Sequence, residues 1–511
     1  MPETFLHGVE VLEINDGPRP IRTVRSSVIG LIGTAPDSQQ EVKASATTGS
    51  VADKNALTWT SKLTGILGNY SSIKLVDPGA NGQSLAISVD GRDVVVSLAT
   101  GVGGAITTTA DDLKTAIAAN AAANALFTLA DTSTSDGTGV VAAVRRTQLS
   151  GGIDEAFPLN TPVLVAGDQV QAAQLGSTGT LPDAMDGIFD QTGAVVVVVR
   201  VAQENNSDSD PGTITNVIGG VDVGTGAYEG VHAFLGSETA NGFCPRILCA
   251  PGFTSERDGT ANPVVAELVG IAERLRAVII ADGPNTTDAA AITYRGDWGS
   301  KRVYVVDPGV KIRNSLGEIV DRPASARVAG VIARIDNEMG FWHSPSNKVI
   351  NGIVGTSRDI DFTLGDKNCR ANLLNENEIA TIIRHDGFRL WGNRTASDDP
   401  KFAFLSVTRV GDLIADSILR AHMWAVDRNI TRTYLEDVQQ GVNDYIARLV
   451  ALGALLGGEC YPSPGLNTPA GIADGQVYWD YEYTPPYPAE RLTFRSILTN
   501  RFITTILLPN S

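Results

Sequence analysis

The chain has 511 residues, and because a single domain rarely exceeds about 250 to 300 residues, at least two domains are expected. Hydrophobic residues make up 43% and charged residues 19%, which supports folded cores and excludes a disordered chain. A formal net charge of −17 repels phosphate and anionic lipid and so argues against nucleic acid or a membrane surface as a partner.

Two strand-like runs open the chain. Residues 9–14 alternate apolar and acidic side chains, as a half-exposed strand does, and residues 28–33 form an apolar run typical of a strand buried on both faces. We group residues 1–38 as an N-terminal arm followed by a first core strand. The half-apolar strand at the terminus needs a sheet to join.

Residues 39–154 differ in composition, being rich in Thr, Ser, Ala, Gly and Asn and poor in aromatic residues. Thr109 is the expected N-cap of a helix over 109–123, and Asp90-Gly91 is the expected turn of a hairpin. The pattern predicts strands over 72–76, 85–89, 93–98 and 138–145. These elements indicate a separate small α+β domain with its own modest core.

Residues 155–370 alternate short β-branched runs with helical patterns. Strands are expected over 162–165, 195–201, 246–250, 277–281 and 303–306, and helices over 181–191 and 263–276. Apolar strands separated by helices predict a covered, largely parallel sheet, and therefore a middle α/β domain.

The last region, residues 371–511, contains two clear helical patterns. One covers 410–425 and is expected to turn Leu419 and Met423 inward, together with its other apolar residues. The second opens with a capping box formed by Thr433 and Glu436 and is expected to end at Gly457-Gly458. The chain then closes with strand-like runs over 492–495 and 502–507.

Motifs that carry chemistry are missing from the sequence. It contains no phosphate-binding loop, no GxSxG elbow, no HExxH helix and no CxxC pair, and its four cysteines are expected to be reduced. Cys369 beside Arg370 could be an activated thiol, and Asp359-Ile360-Asp361 or Asp398-Asp399 could bind a cation; a loop without a role is the alternative for each. We assign no catalytic, cofactor or metal-binding residue, and we expect neither a secretory signal nor a membrane helix.

Several ordered strings, taken together, are similar to the sheath subunit of contractile phage tails and related injection machines. They are residues 7–14 with 25–33, 226–230 with 242–252, 294–298 with 303–308, and 427–432. The resemblance covers about residues 1–38 and 155–511. Residues 39–154 depart from it, because they interrupt the join between Pro36 and Phe157, and we interpret them as an insertion on the outer surface that suits decoration or adhesion.

The resemblance implies a structural machine: hexameric rings stacked around a tail tube, held extended and released to shorten. It implies that both terminal arms add strands to sheets of neighbouring subunits, which fits half-apolar strands at both ends. The strand residues of the N-terminal arm would be Val9, Val11, Leu12 and Ile14. Those of the C-terminal arm, about residues 490–511, would be Phe494, Phe502, Ile503 and Ile506.

The same resemblance implies an inner, tube-proximal layer formed by residues 371–511, with the middle domain lying outward. The candidate helix of that layer carries Leu435, Val438, Val442 and Ile446. The implied partners are copies of the chain itself, the tail tube protein, and the baseplate and tail terminator proteins. The implied location is the virion tail, after assembly in the host cytoplasm, with no enzyme activity and no cofactor.

Two other classes of protein remain as alternatives. A glycan-binding or adhesion protein of the virion surface would use residues 39–154 as its working part and would form discrete oligomers. An α/β enzyme would use the middle domain and would need a pocket with convergent ionisable groups. Hollow striated tubes in an electron micrograph would favour the sheath over both.

Overall fold

The structure is a computed structural model that describes residues 20–132, 134–314 and 316–501. Its contacts separate two compact units. The N-terminal unit comprises Leu31–Asp186 and Val197–Gly242, and the C-terminal unit comprises the residues up to Gly30, Gly187–Val196 and Phe243 onward. The strands predicted over 9–14 and 502–507 lie outside the described residues.

The N-terminal unit contains a small α+β module, which we define as residues 44–149. It follows β1 (Ile29–Thr34) and consists of β2 (Ser45–Thr48), β3 (Leu57–Ser61), β4 (Ser72–Val76), β5 (Ala86–Asp90), β6 (Asp93–Ser97), α1 (Ala110–Ala119), α2 (Ala121–Leu126), β7 (Phe127–Asp131) and β8 (Val144–Gln148). One sheet has the order β2-β3-β7 and the other β5-β6-β4-β8. Strands β4 and β6 are parallel, and the other pairs in the module are antiparallel.

The module has a hydrophobic core of its own. Trp59 is fully buried, its ring meets that of Phe127 edge-on at 5.9 Å between centroids, and its Nε1–H donates to Thr48 Oγ1 at 2.9 Å. Leu57 and Val96 are likewise inaccessible to solvent and belong to the same cluster. A buried tryptophan whose polar atom is hydrogen-bonded indicates a specific core, not a loose collapse.

Several sequence predictions for the module needed correction. Thr109 caps α1 as predicted, but the helix stops at Ala119 because Asn120 caps a second helix, α2. The turn between β5 and β6 is Gly91-Arg92, one residue later than predicted. The strand predicted over 138–145 was wrong, since β8 begins only at Val144.

The rest of the N-terminal unit carries short elements. They are β9 (Pro162–Ala166), α3 (Gln169–Ala173), α4 (Leu181–Phe189), β10 (Val195–Val201), α5 (Pro211–Ile218), β11 (Gly220–Val221), β12 (Tyr228–Glu229) and α6 (Ser237–Asn241), with a 3-10 helix over Gly230–Gly236. Strands β1, β10 and β9 are hydrogen-bonded in that order, and the unit boundary falls inside β1, α4 and β10.

The C-terminal unit is built on a mixed sheet. Its first elements are β13 (Ile247–Cys249), α7 (Pro263–Leu275), β14 (Val278–Asp282), α8 (Asp288–Arg295), β15 (Val303–Val306), β16 (Val310–Arg313), β17 (Ile319–Arg322), α9 (Ser325–Glu338), β18 (Lys348–Val349), β19 (Gly355–Thr356), α10 (Arg370–Glu376), β20 (Ile379–Arg384) and β21 (Phe388–Trp391). The strand order is β13-β14-β15-β20-β21-β18, parallel from β13 to β20 and antiparallel beyond. Strands β16, β17 and β19 form a separate antiparallel sheet.

Helix α9 lies in the interior of this unit, and a buried carboxylate caps its start. Asp282, at the end of β14, accepts from the backbone N–H groups of Ala324 and Ser325, each at 2.8 Å, and also from the Ser325 hydroxyl. Burial raises the pKa of Asp282 to about 6, although these hydrogen bonds favour its ionised form. The cap satisfies amide groups that would otherwise be buried without partners.

The C-terminal region, which we define as residues 405–501, completes the unit. It contains α11 (Leu405–Ala421), α12 (Arg432–Ala451), β22 (Gly457–Pro462), α13 (Pro469–Ala473) and β23 (Trp479–Thr484), with a 3-10 helix over Met423–Ala425 between α11 and α12. Helices α11 and α12 share a core with the β22–β23 hairpin. Val410, Ile414, Tyr445 and Leu449 are nearly inaccessible to solvent in it.

Three predictions for this region were wrong in detail. The cap of α12 is Thr431 and not Thr433, because the Thr431 hydroxyl accepts from the Tyr434 N–H. The helix ends at Ala451, and the residues at Gly457 begin a strand. Leu419 and Met423 were expected inside but are 60% and 78% exposed.

Candidate assembly interface

The most exposed stretch in the described part of the chain follows β23. Pro485 is buried, but every residue from 491 to 500 is exposed and none of them belongs to a helix or strand. Leu492, Phe494 and Leu498 are 74%, 92% and 98% exposed. Apolar side chains left in water to this extent indicate a surface that is covered by a partner.

The root of this segment is fixed to its own subunit. Arg394 donates from Nε and Nη2 to the two carboxylate oxygens of Glu490, at 2.8 and 2.6 Å, and this contact raises the pKa of Arg394. The same guanidinium lies 5.2 Å from the centroid of the Phe404 ring, which meets Tyr487 edge-on at 6.2 Å. The exposed segment therefore begins after Glu490.

The β22–β23 hairpin beside this segment has two unlike faces. Trp479, Tyr481 and Tyr483 pack onto the core of the C-terminal region, and the last two rings stack at 6.1 Å. The opposite face carries Glu459 and Glu482, which are cross-strand partners and both exposed. These carboxylates give the outer face a negative charge.

The negative charge of this face raises the pKa of a tyrosine on the same hairpin. The Tyr461 hydroxyl donates to Glu482 at 2.6 Å, and that bond, with the neighbouring carboxylates, raises the pKa of Tyr461 to about 12.

The residues predicted for the arms fall partly within the described chain. Phe494 lies in the exposed segment, whereas Val9, Val11, Leu12, Ile14, Phe502, Ile503 and Ile506 lie outside the described residues. The strand predicted over 492–495 is not formed, because an extended segment needs a ladder partner and none of the described residues pairs with this one. The arm assignments remain predictions.

The helix predicted for the inner layer is α12, and the four named residues lie on its inward side. Val438, Val442 and Ile446 are buried, and Leu435 is partly buried. In this structure these side chains pack the core, so contacts with a partner would have to use other residues of the helix.

Sequence reasoning missed a row of ionic residues on α11. Asp416 accepts from Arg246 and, at 3.1 Å, from Arg276, while Asp412 pairs with Arg302 and Arg409 with Asp336. Arg409, Asp412 and Asp416 are spaced by three and four residues, which places them on one helical face. This spacing is the feature of the sequence from which the charged face could have been predicted. These pairs join α11 to the central part of the C-terminal unit.

Groups that could support catalysis are not arranged for it in the part of the chain that the structure describes. No group of three or more metal-ligating side chains occurs among those residues, and no helix there is long and apolar enough to cross a membrane. Burial raises the pKa of the Cys249 thiol and raises that of Cys460 to about 11. An open cavity of about 440 Å³ at the α11–α12 turn is lined by Trp424, Arg428 and Tyr434 among others.

Family models match three consecutive parts of the chain. Residues 138–201 match the N-terminal region of domain III of tail sheath protein Gp18, residues 226–396 match the phage tail sheath protein central domain, and residues 397–499 match the phage tail sheath C-terminal domain.

Curated relatives carry the same description. A prophage major tail sheath protein of Pseudomonas aeruginosa strain UCBPP-PA14 is 43% identical over 349 residues, which cover 68% of this chain and 88% of the relative. The tail sheath protein of Escherichia phage P2 is 35% identical and covers 69% and 89%. The tail sheath protein of Burkholderia phage BcepMu is 30% identical over 524 residues and covers 99% of both chains.

Solved structures share the fold. The contracted helical sheath of the anti-feeding prophage has a TM-score of 0.51 at 21% identity and covers 66% of this chain and 89% of its own. The contracted sheath complex of the extracellular contractile injection system PVC has a TM-score of 0.51 at 18% identity and covers 68% and 89%.

Proposed function

Because the chain belongs to the phage tail sheath protein family, we propose that it polymerises as stacked hexameric rings around a tail tube and contracts to drive the tube through the host envelope. It is a structural protein of a contractile tail. Copies of itself, the tube, the baseplate and the tail terminator would be its partners, and it would assemble in the host cytoplasm. No nucleotide is needed if bistable packing between subunits stores the energy.

The exposed segment after Glu490 carries this proposal. Leu492 and Phe494 stand two residues apart, so in an extended strand they lie on one face. An added strand gains main-chain hydrogen bonds along its length and buries such a face, which makes it a strong link between subunits. Residues 9–14 would serve in the same way at the other end.

Residues 39–154 are proposed as an insertion that leaves the sheath fold intact. The two chain segments at its base run antiparallel: Val42 bridges Ile153, and the Ala156 N–H donates to the Gln39 carbonyl at 3.3 Å. A domain whose ends lie side by side can be added or removed without pulling its host apart. Two relatives that match 68% and 69% of this chain are compatible with a form of the fold that lacks these residues, and the BcepMu protein is matched over 99% of this chain.

The tube-proximal position is proposed for residues 371–511, with residues 155–370 outward. The exposed tail and the hairpin both belong to the former range, so the links between subunits would form a continuous inner mesh. The outer domains of neighbouring rings could then lose and regain contacts as the rings rotate, while the links between subunits in the inner layer stay intact.

Electron microscopy of the purified full chain tests the proposal. We expect hollow striated tubes from the full chain, and monomers with unchanged circular dichroism from a chain ending at Glu490. A chain ending at Asn500 is the matched control for loss of the last residues alone. Full-length tubes from the chain ending at Glu490 would refute the arm assignment, and discrete particles from the full chain would favour an adhesion protein.

A further inference from the structure

The module of residues 44–149 joins the rest of the N-terminal unit through two short limbs. We define the entry limb as residues 35–43 and the exit limb as residues 150–158. Val42 and Ile153 exchange two main-chain hydrogen bonds, each at 2.9 Å, so the limbs are tied to each other beside the module. How far the module can turn then depends on how each limb is held by the structure on either side of it.

A single buried arginine holds both limbs to the rest of the unit. Arg200, on β10, is only 6% exposed. Its Nε–H donates to the Phe157 carbonyl at 2.6 Å, and its Nη2–H donates to the Glu155 carboxylate, so two of its nitrogens hold the exit limb. Its Nη1–H donates to the Ala35 carbonyl of the entry limb at 3.4 Å. The donors of a guanidinium have a fixed planar geometry, so this side chain sets the separation of the two limbs.

The entry limb is also held beyond its contact with the arginine. Asp37 accepts from the main-chain N–H groups and the hydroxyls of Ser177 and Thr178, at 2.7 to 3.0 Å. The Gln39 N–H donates to the Gln174 carbonyl at 2.8 Å. Hydrogen bonds to a carboxylate are stronger than those between neutral groups. The entry limb is therefore fixed to the rest of the unit as far as Gln39.

The module holds the other end of the exit limb. Asn69 Nδ2 donates to the Gly152 carbonyl at 2.9 Å, and the Gly152 N–H donates to Asn69 Oδ1 at 2.8 Å. This carboxamide pairs with Gly152 as the main chain of a neighbouring strand would. Asp154 accepts from the Ile66 N–H at 2.8 Å. Because Asp154 and Glu155 are adjacent in the chain, the two attachments of the exit limb follow each other directly.

The exit limb also packs closely against the module. A Cβ atom added at Gly152 would overlap the Gly65 carbonyl oxygen, and one added at Gly65 would overlap the Asp154 carboxylate. Gly65 has a φ of 49°, which glycine adopts without strain. Main chain therefore lies directly on main chain where the limb meets the module.

We propose that Arg200 is the positioning residue that fixes the direction in which the module leaves the sheath fold, and that the module is a rigid projection and not a domain on a flexible tether. In the entry limb only Gln40 and Glu41 separate the attachment at Gln39 from the pairing at Val42. So short a connection, tied to a second strand, has little of the freedom of a flexible linker. The inference concerns single subunits and does not rest on the proposed function.

Distances between spin labels test the direction of the module. Labels at Ser88→Cys, on β5, and Thr215→Cys, on α5, report across the limbs, since both residues are exposed on regular elements. Labels at Ser88→Cys and Ala118→Cys report the structure within the module. Cys244→Ser removes the partly exposed natural cysteine from every chain. Labelled chain is diluted into unlabelled full chain, so that only distances within one subunit are measured.

We expect a narrow distance distribution across the limbs in the parent chain. Arg200→Met should widen it about twofold, because three hydrogen bonds to the limbs are lost and the limbs begin to act as a flexible linker. The distribution within the module should not change. Arg302→Met is the matched control, since it removes a buried arginine that bonds a carboxylate and a main-chain carbonyl in the C-terminal unit.

Three results would overturn the inference. A broad distribution in the parent chain would show that the module is tethered and not rigid. Equal widths in the parent and the Arg200→Met chain would show that the arginine does not fix the direction. Widening within the module as well would show that Arg200 supports the fold of the unit and not the direction of the module.

Milder substitutions keep the test decisive if Arg200→Met does not fold. Glu155→Ala removes one of the three attachments, and Asn69→Ala loosens the limb on the module side. Each should widen the distribution across the limbs by less than Arg200→Met. Glu229→Ala, which changes an exposed carboxylate outside the limbs, is the control. Unchanged widths in both folded variants would contradict the proposed role of the limb contacts.

Averaged images of tubes give a second measurement, which does rest on the proposed function. The density of the module should be as sharp as that of the adjoining unit in the parent chain and weaker with Arg200→Met. Weak module density in tubes of the parent chain would contradict a rigid projection. Failure of the parent chain to form tubes would count against the proposed function, and the spin-label distances would still decide this inference.

Discussion

The module of residues 44–149 and the C-terminal region of residues 405–501 differ in how completely they bury their large apolar side chains. The module closes around Trp59 and Phe127, and both are fully buried. The C-terminal region buries its helices but leaves Phe494 and Leu498 more than 90% exposed. A region that buries its own apolar side chains can be added or removed as a unit, whereas exposed apolar side chains such as these are typical of a surface that contacts a partner.

The largest effect that tests this contrast is the removal of the module. Replacing residues 40–154 by a short Gly-Ser linker should leave tubes of normal striation, because Gln39 and Ala156 are already hydrogen-bonded neighbours and Glu155, the partner of Arg200, is kept. Removal of residues 491–511 should abolish tubes altogether. Electron microscopy of both chains compares them directly, and loss of tubes in the first would show that the module takes part in assembly.

A core substitution should separate folding from assembly. Trp59→Ala is expected to destabilise the module by about 3 to 5 kcal/mol, since it removes a buried ring and leaves the Thr48 hydroxyl without its donor. Hydrogen exchange of the β3 amides in the full chain measures this loss. Tyr70→Ala is the control, because that ring is 60% exposed. Tubes should still form with either substitution, and their absence with Trp59→Ala alone would link the module to assembly.

The buried cap of α9 should give the stability an unusual pH dependence. Because the pKa of Asp282 is raised to about 6, the folded state holds its proton more tightly than the unfolded state. The stability that this group contributes is complete below about pH 4 and is lost as the pH rises to about 6, by about 2 to 3 kcal/mol.

Urea unfolding of the wild type and of Asp282→Asn between pH 4 and pH 7.5 isolates the contribution of Asp282 to the unfolding free energy, because the other carboxylates titrate in both proteins. The amide cannot ionise, so the difference in unfolding free energy between the two should change in favour of Asn as the pH rises. A difference that is independent of pH would mean that Asp282 does not titrate in this range.

The smallest effect is expected at the root of the exposed segment. Arg394→Gln should lower the unfolding free energy by no more than about 1 kcal/mol, because Arg394 and Glu490 are 34% and 43% exposed. It should nevertheless speed proteolysis between Thr484 and Glu490, because these residues would no longer be held to the subunit by the ion pair. Arg274→Gln, which changes an exposed arginine of the same unit, is the control. Equal proteolysis in both would show that the ion pair does not hold the segment.

The accuracy of sequence reasoning differed between these regions for physical reasons. Apolar runs such as those at β10, β14 and β15 are read from composition alone, since a strand covered on both faces needs apolar side chains throughout. The end of α1 and the start of α12 were misplaced because Asn120 and Thr431 compete as caps with equally suitable neighbours. Strand β22 was not predicted, because Gly457-Gly458 is typical of a helix end. For residues 478–483 the alternation of aromatic and acidic residues suited either an interface or a packed strand, and the structure has strand β23 there.

The sequence by itself determined the family, the absence of recognisable catalytic motifs, and the alternation of basic and apolar residues after Glu490, because each depends only on residue identity and spacing. The tertiary structure decided where that segment leaves its own subunit and which edge of the hairpin is covered by α12. Those features depend on Arg394 meeting Glu490 and on Asn443 meeting Cys460, contacts between residues 96 and 17 positions apart that no local pattern encodes.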